Sequence, residues 1–279
     1  VVTALEQSQG RGRLGRTWVG APGNLYASVI VRLPMRPADA PPISLVAGVA
    51  LAEALRSLGA PVHLKWPNDL VIVDATAAMG RRKLGGILAE SHCQSGRLDH
   101  VVIGFGVNLL PVHMPAPLAP ATPVAAPSST APQNGSGAQH GAYNGSPHGS
   151  QTAHTQATSL HELGLDLDRE TVLVRVLSFL GPWLERFVAT GMHAVVPHWQ
   201  RLAANNHWLQ LADGRIGHAV GIDADGGLRV QLGDGAEAVV RSGEPVDTLA
   251  PPNPTPRLAL RRSSTGAGDD VGQAADAHV

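Results

Sequence analysis

In ISLVAGVALAEALRSL, apolar residues recur at Leu45, Val49, Ala52, Leu55 and Leu58. Steps of three and four place them on one face of a 3.6-residue repeat, so the spacing predicts a largely buried helix that Gly59 stops. A second run, Val172, Val176, Leu180, Leu184 and Phe187 in LDRETVLVRVLSFLGPWLERFVATG, predicts another helix. Asp168 is placed to cap its first turn, and Pro182 is expected to bend or split it. A shorter helix is expected around VVPHWQRLAA. The opening VVTALEQ reads as a strand. After the turn signal Pro22-Gly23-Asn24, LYASVIVRL reads as a buried strand.

VHLKWPNDLVIV, RRKLGGILAESH and HVVIGFGVNLL read as three strands of an antiparallel meander, separated by the turn-like ATAAMG and QSGRLD. Each is interrupted: by Pro67 and Asn68, by Gly85 and Gly86, and by Gly104 and Gly106. Glycine inside a strand marks a place where a ligand or another backbone comes close, so three such strands in succession predict one shared pocket. From Trp208 onward, short alternating runs are punctuated by Asp213-Gly214, Asp225-Gly226 and Asp234-Gly235, pairs that favour tight hairpins. They predict a small β-barrel over 205–249. The fold class is therefore α+β, a mixed or antiparallel sheet core over 1–204 followed by the barrel.

Pro, Ala, Ser, Gly, Asn, Gln and His dominate from Pro111 to about Thr158, with almost no apolar periodicity. Such a segment buries too little surface to offset its ordering entropy, and a disordered insertion is expected at about 112–157, as is a disordered tail at 250–279. His113, His140, His148 and His154 in the insertion read as composition rather than as a metal site. No apolar run approaches the roughly 20 residues of a membrane span. One cysteine, Cys93, excludes a disulfide within the chain and any multi-cysteine zinc site. A soluble, cytoplasmic protein is expected.

The formal net charge is only -1 and charged residues make up 15% of the chain, so there is no global field of the kind that holds DNA or RNA nonspecifically. Positive charge is instead local. GRGRLGRTW puts Arg11, Arg13 and Arg16 among three glycines and ends on Trp18. The stretch matches G-x-G-x-x-G, but the dinucleotide reading fails on context: Pro22 and Gly23 interrupt any helix, and Val31 and Arg32 stand near the position that needs an acid. Alternating Gly and Arg has another use, because glycines let the backbone wrap a ligand while guanidinium forks bind phosphate or carboxylate. Trp18 reads either as a face for a purine ring or as a core anchor. KWPND joins Lys65 to two oxygen donors, Asn68 and Asp69, suited to phosphate and Mg²⁺, and reads equally as a strand bend with an Asx turn. KLGGIL sets Lys83 beside two glycines, and GFGVN ends on Asn108. His92-Cys93 is set aside as a metal pair because adjacent strand residues face opposite ways.

In this order, GRGRLGRTW, PGNLYASV, KWPND, KLGGIL with Glu90 after it, and GFGVN resemble the catalytic core of biotin protein ligases, the biotin-[acetyl-CoA-carboxylase] ligases. The likeness is close over residues 1 to about 110, and WQRL with the segment at 205–249 is similar to the family's SH3-like domain. The resemblance implies a sheet core of the class II biotin/lipoyl ligase type. It also implies an ATP-dependent reaction in which biotin and MgATP give biotinyl-5′-AMP and pyrophosphate, after which biotin passes to a lysine of a biotin carboxyl carrier protein. By motif match, Gln7, Arg11, Gly12, Arg13, Lys83 and Gly86 would contact biotin, with Lys83 and Arg13 serving catalysis. Arg16, Trp18, Lys65, Asn68 and Asn108 would meet ATP, and Asn68 and Asp69 would hold Mg²⁺.

Leu14 stands where some relatives are basic, which removes one phosphate contact at most. The family's Ser/Thr-Asn segment for the ureido end of biotin lies upstream of Val1 in relatives, and residues 1–279 alone are expected to bind biotin poorly. A lipoate ligase or octanoyltransferase shares the core fold but not, as a rule, the GRGR…W loop, and a non-catalytic biotin or nucleotide sensor is the other alternative.

Overall fold

A computed structural model of the chain describes residues 1–112, 156–205, 207–243 and 245–248. The expected insertion, apart from Val112, Gln156 and Ala157, and the expected tail lie outside the described residues, as do His113, His140, His148 and His154.

Six strands form the first sheet: β1 (Val2–Ala4), β2 (Leu25–Val31), β3 (Val62–Lys65), β4 (Asp69–Val73), β5 (Arg81–Gln94) and β6 (Arg97–Val107). Their order is β1-β2-β6-β5-β4-β3, antiparallel throughout. The meander is present with one strand more than the alternation predicts. VHLKWPNDLVIV is a hairpin, β3 and β4, rather than one interrupted strand, because Pro67 has no N–H for a ladder and the chain turns at Trp66-Pro67-Asn68.

The expected helices are α1 (Ile43–Ser57), α2 (Arg169–Thr190) and α3 (Met192–Leu202). Helix α1 is apolar nearly all round, and it is buried accordingly among the sheet, α2 and α3. Asp168 caps α2 by accepting from the Thr171 N–H at 2.7 Å. Pro182 does not split the helix, which runs on to Thr190 with Val172, Val176, Leu180, Trp183, Leu184 and Phe187 buried. Among the described residues, no helix is long and apolar enough to cross a membrane.

The remaining strands, β7 (Trp208–Gln210), β8 (Ile216–Ile222), β9 (Leu228–Leu232), β10 (Glu237–Val240) and β11 (Val246–Thr248), form a second antiparallel sheet in the order β10-β9-β8-β7-β11. Gly214, Gly226 and Gly235 take positive φ in its turns, as the Asp-Gly pairs predict. Among the described residues β10 and β11 stand at opposite edges without pairing, so the module is a five-stranded sheet rather than a demonstrated closed barrel.

One irregularity of the first sheet matters for chemistry. Against β4, Leu70 pairs with Gly85 but Val71 pairs with Lys83, which leaves Leu84 as an extra residue in β5. Such a bulge reverses the alternation of faces. Leu84 is wholly buried in the core, while Lys83 comes to the same side as Gly86, three residues away.

Candidate active site

The glycine-arginine stretch folds back on itself. The Trp18 N–H donates to the Gly10 carbonyl at 2.8 Å and the Gly12 N–H to the Arg16 carbonyl at 2.7 Å. Leu14 and Gly15 turn the chain with φ of 54° and 73°, so only a single 3-10 turn at Arg13–Gly15 and no α-helix opens at these glycines, and the dinucleotide reading fails in three dimensions too. Gly10 admits no side chain, because a Cβ there would lie 2.5 Å from the Trp18 carbonyl oxygen.

This loop faces β5 and β6 across a cavity of about 680 Å³. Gln7, Arg11, Gly12, Arg13, Lys83 and Gly86, the residues assigned to biotin, all line it. So do Arg16, Trp18, Lys65 and Asn68 of the nucleotide set, together with Asp69. Asn108 is not among the lining residues. Its side chain is buried and donates to the Thr158 carbonyl at 3.0 Å, tying the end of β6 to the segment that leads into α2.

Gly86 and Gly106 are directly opposed on β5 and β6, and the indole of Trp18 lies over both. A Cβ at Gly86 or Gly106 would stand 3.1 or 3.0 Å from the ring. Lys83 Nζ sits 5.3 Å from the centroid of that ring, within cation–π range, and donates to Asp69 Oδ1 at 2.5 Å. Lys65 Nζ is 4.0 Å from the other Asp69 oxygen. Asn68 is fastened to β5: its Nδ2 donates to the Ile87 carbonyl at 2.7 Å, and its own carbonyl accepts from the Ile87 N–H at 3.0 Å. Arg11, mostly exposed, lies 3.6 Å from Glu90.

Burial, and then the neighbouring Arg16, push the Arg13 guanidinium below its ordinary value. It remains a cation at neutral pH, with Asp69 working against the shift. The cavity thus has cations on two facing walls, an aromatic plane and a floor of glycines. Such an arrangement is chemically able to hold anionic groups side by side.

Mg²⁺ fits the expected pair poorly. Asp69 is already engaged by two ammonium groups, and Asn68 offers a single amide oxygen. Among the described residues no three His, Cys, Asp or Glu side chains come together to hold a metal. Octahedral Mg²⁺ held through so few protein donors would need to take its other ligands from water or a bound ligand.

The fold and cavity define an α+β protein with a polar cavity lined by basic side chains, an indole and glycines. Residues 1–108 match the family model for the Biotin/lipoate A/B protein ligase family. It is 32% identical over 198 residues, 70% of its own length and 49% of the relative's, to the bifunctional ligase/repressor BirA of Escherichia coli (strain K12). It is 37% identical over 111 residues, 39% of this chain and 43% of the relative, to the biotin--[acetyl-CoA-carboxylase] ligase of Paracoccus denitrificans. The chain spans about half or less of the length of these curated relatives. In fold it is similar to the biotin protein ligase from Aquifex aeolicus in complex with biotin and ATP, with a TM-score of 0.62, 24% identity, and coverage of 89% of this chain and 88% of that one.

Signals for the glycine-arginine loop and for Lys83 are local and readable. Asp69 as the partner of Lys83, and the contribution of Pro245, Val246 and Asp247 to the cavity, come from distant pairings that no local motif announces.

Proposed function

We propose that this chain is the ligase part of a biotin protein ligase, which joins biotin to ATP and passes the acyl group to a lysine of a biotin carboxyl carrier protein. The observation that carries the reading is the convergence of Arg11, Arg13 and Lys83, from two separate elements, on one cavity. In the first step a biotin carboxylate oxygen attacks the α-phosphorus of MgATP, the bond to the bridging oxygen breaks, and pyrophosphate leaves. Two anions must meet for this, and the work of the side chains is to neutralise and align them. Lys83 turns from Asp69 to the carboxylate, and Arg13 and Arg16 face the phosphate. Trp18 supplies a flat apolar surface for the adenine. In the second step the neutral amine of the carrier lysine attacks the acyl carbon, AMP leaves with the bonding pair, and the amide loses a proton to water. No side-chain nucleophile is needed. Mg²⁺ enters as part of the nucleotide substrate.

In this reading the five-stranded C-terminal sheet is the family's SH3-like module, and the protein works in the cytoplasm on a soluble carrier. The test is incubation of the protein with MgATP, a purified biotin carboxyl carrier domain, and biotin, lipoate or octanoate in parallel. Carrier labelled with biotin and not with lipoate or octanoate is expected, at the low level that weak biotin binding by residues 1–279 allows. Labelling by lipoate or octanoate only, or biotin binding without any labelled carrier, overturns the proposal.

A further inference from the structure

One wall of the cavity has no part in the reaction as written above. Pro245, Val246 and Asp247 reach it from β11, the edge of the second sheet. The Asp247 side chain is 9% exposed and meets three basic groups from separate parts of the chain. Arg81 Nη2, at the start of β5, is 2.6 Å away. Lys65 Nζ, at the end of β3, is 3.3 Å away, and His207 Nε2, just before β7, is 3.8 Å away. The imidazole is neutral at working pH because burial, followed by Arg81, pushes it down to about 4. The charges that Asp247 balances are therefore the guanidinium and the ammonium.

These two cations differ in what they can do. Arg81 is 4% exposed and does not line the cavity, so its pairing holds the two sheets together. Lys65 does line the cavity, and it stands between two carboxylates, 3.3 Å from Asp247 and 4.0 Å from Asp69. Asp69 is the anion that holds Lys83. Were Asp247 uncharged, the only carboxylate that these contacts leave to Lys65 would be Asp69, and two ammonium groups would compete for it.

We propose that Asp247 is a positioning residue that holds Lys65 at the phosphate side of the cavity and thereby leaves Asp69 to Lys83. The two lysines are kept apart, one for each of the two anions that the reaction joins, and the second sheet sets the spacing. The inference rests on the ligase reading for the identity of those anions, MgATP phosphate at Lys65 and the acyl carboxylate at Lys83.

The experiment is calorimetric titration of the full chain with MgATP, alongside biotin-dependent ATP–pyrophosphate exchange. Asp247→Asn is expected to weaken MgATP binding about tenfold and to raise KM for MgATP more than it lowers kcat, with Asp247→Glu recovering most of the loss. Because Asp247→Asn strands a buried guanidinium, Arg81→Met/Asp247→Asn is measured too, which removes both buried charges together. In a Lys65→Met background the Asp247 change is expected to cost no further MgATP affinity. Equal losses with and without Lys65, or unchanged affinity in a folded Arg81→Met/Asp247→Asn protein, would reduce Asp247 to a structural clamp and overturn the proposal. MgATP binding by the wild-type chain without carrier labelling removes the ligase reading alone. Absence of any nucleotide binding removes both.

Discussion

Lys83 and Asp69 form a 2.5 Å charge-assisted hydrogen bond inside the cavity, between neighbouring strands and beneath the indole of Trp18. An ammonium held in this way is preset in place, and an entering carboxylate has only to replace one anion with another. Lys83→Met is expected to lower the rate of biotin-dependent ATP–pyrophosphate exchange by about 100-fold or more. The fold should survive, because Lys65 remains 4.0 Å from Asp69. A rate within threefold of wild type would remove Lys83 from the chemistry.

Two glycines of the β5–β6 floor separate stability from binding. A Cβ at Gly85 would lie 2.5 Å from the Gly106 carbonyl oxygen, which is backbone and cannot step aside. Gly85→Ala is expected to cost about 1–3 kcal/mol in a urea titration. At Gly106 the obstacle is the Trp18 ring at 3.0 Å, a side chain that can shift. Gly106→Ala should stay within about 1 kcal/mol of wild type in stability while weakening biotin and MgATP binding, as calorimetry would read.

Stability should depend on pH through His207. The free imidazole takes a proton near 6.5, whereas the folded one does so only at about 4. Between these values the unfolded chain binds more protons, so stability falls as the pH is lowered from 6.5 towards 4, by about 3 kcal/mol across the window. Asp247 adds to the loss only further down. Burial would raise its carboxyl, but Lys65, Arg81 and His207 outweigh burial and hold it below its ordinary 3.8. Urea midpoints measured from pH 7 to pH 4 should flatten over this window in His207→Gln.

Asn24 is fully buried, and its side-chain oxygen accepts from the Leu109 and Leu110 N–H groups at 2.7 Å each. Asn24→Ala strands both donors where β6 ends. A loss of about 2–4 kcal/mol is expected in chemical denaturation.

Features set by local physics were legible in the chain. The 3.6-residue spacing in α1 and α2, the Asp168 cap and the Asp-Gly turns each depend on neighbours a few residues away. The glycine-arginine loop was legible for the same reason, since its charge and its backbone freedom sit in nine consecutive residues. Features set by pairing across the fold were not. The extra residue at Leu84 exists only because β4 and β5 are in one particular register, and strict alternation gives no warning that Lys83 and Gly86 share a face. Asp69 offers the same oxygen donors whether it faces a metal or an ammonium, and only the neighbouring strand decides. Asn108 ends a glycine-rich strand as a ligand-binding amide would, yet its partner is a carbonyl 50 residues away.

The placement of Trp18 has a spectroscopic consequence. Its buried indole N–H has no acceptor among the described residues, and an ammonium stands over the ring. Any guest that settles on the glycine floor must alter both, so the emission of this one tryptophan is a built-in optical gauge of occupancy. Read against a Trp18→Phe control, whose remaining indoles include the buried Trp66, Trp183 and Trp199, it would follow filling of the cavity in real time, without label or turnover.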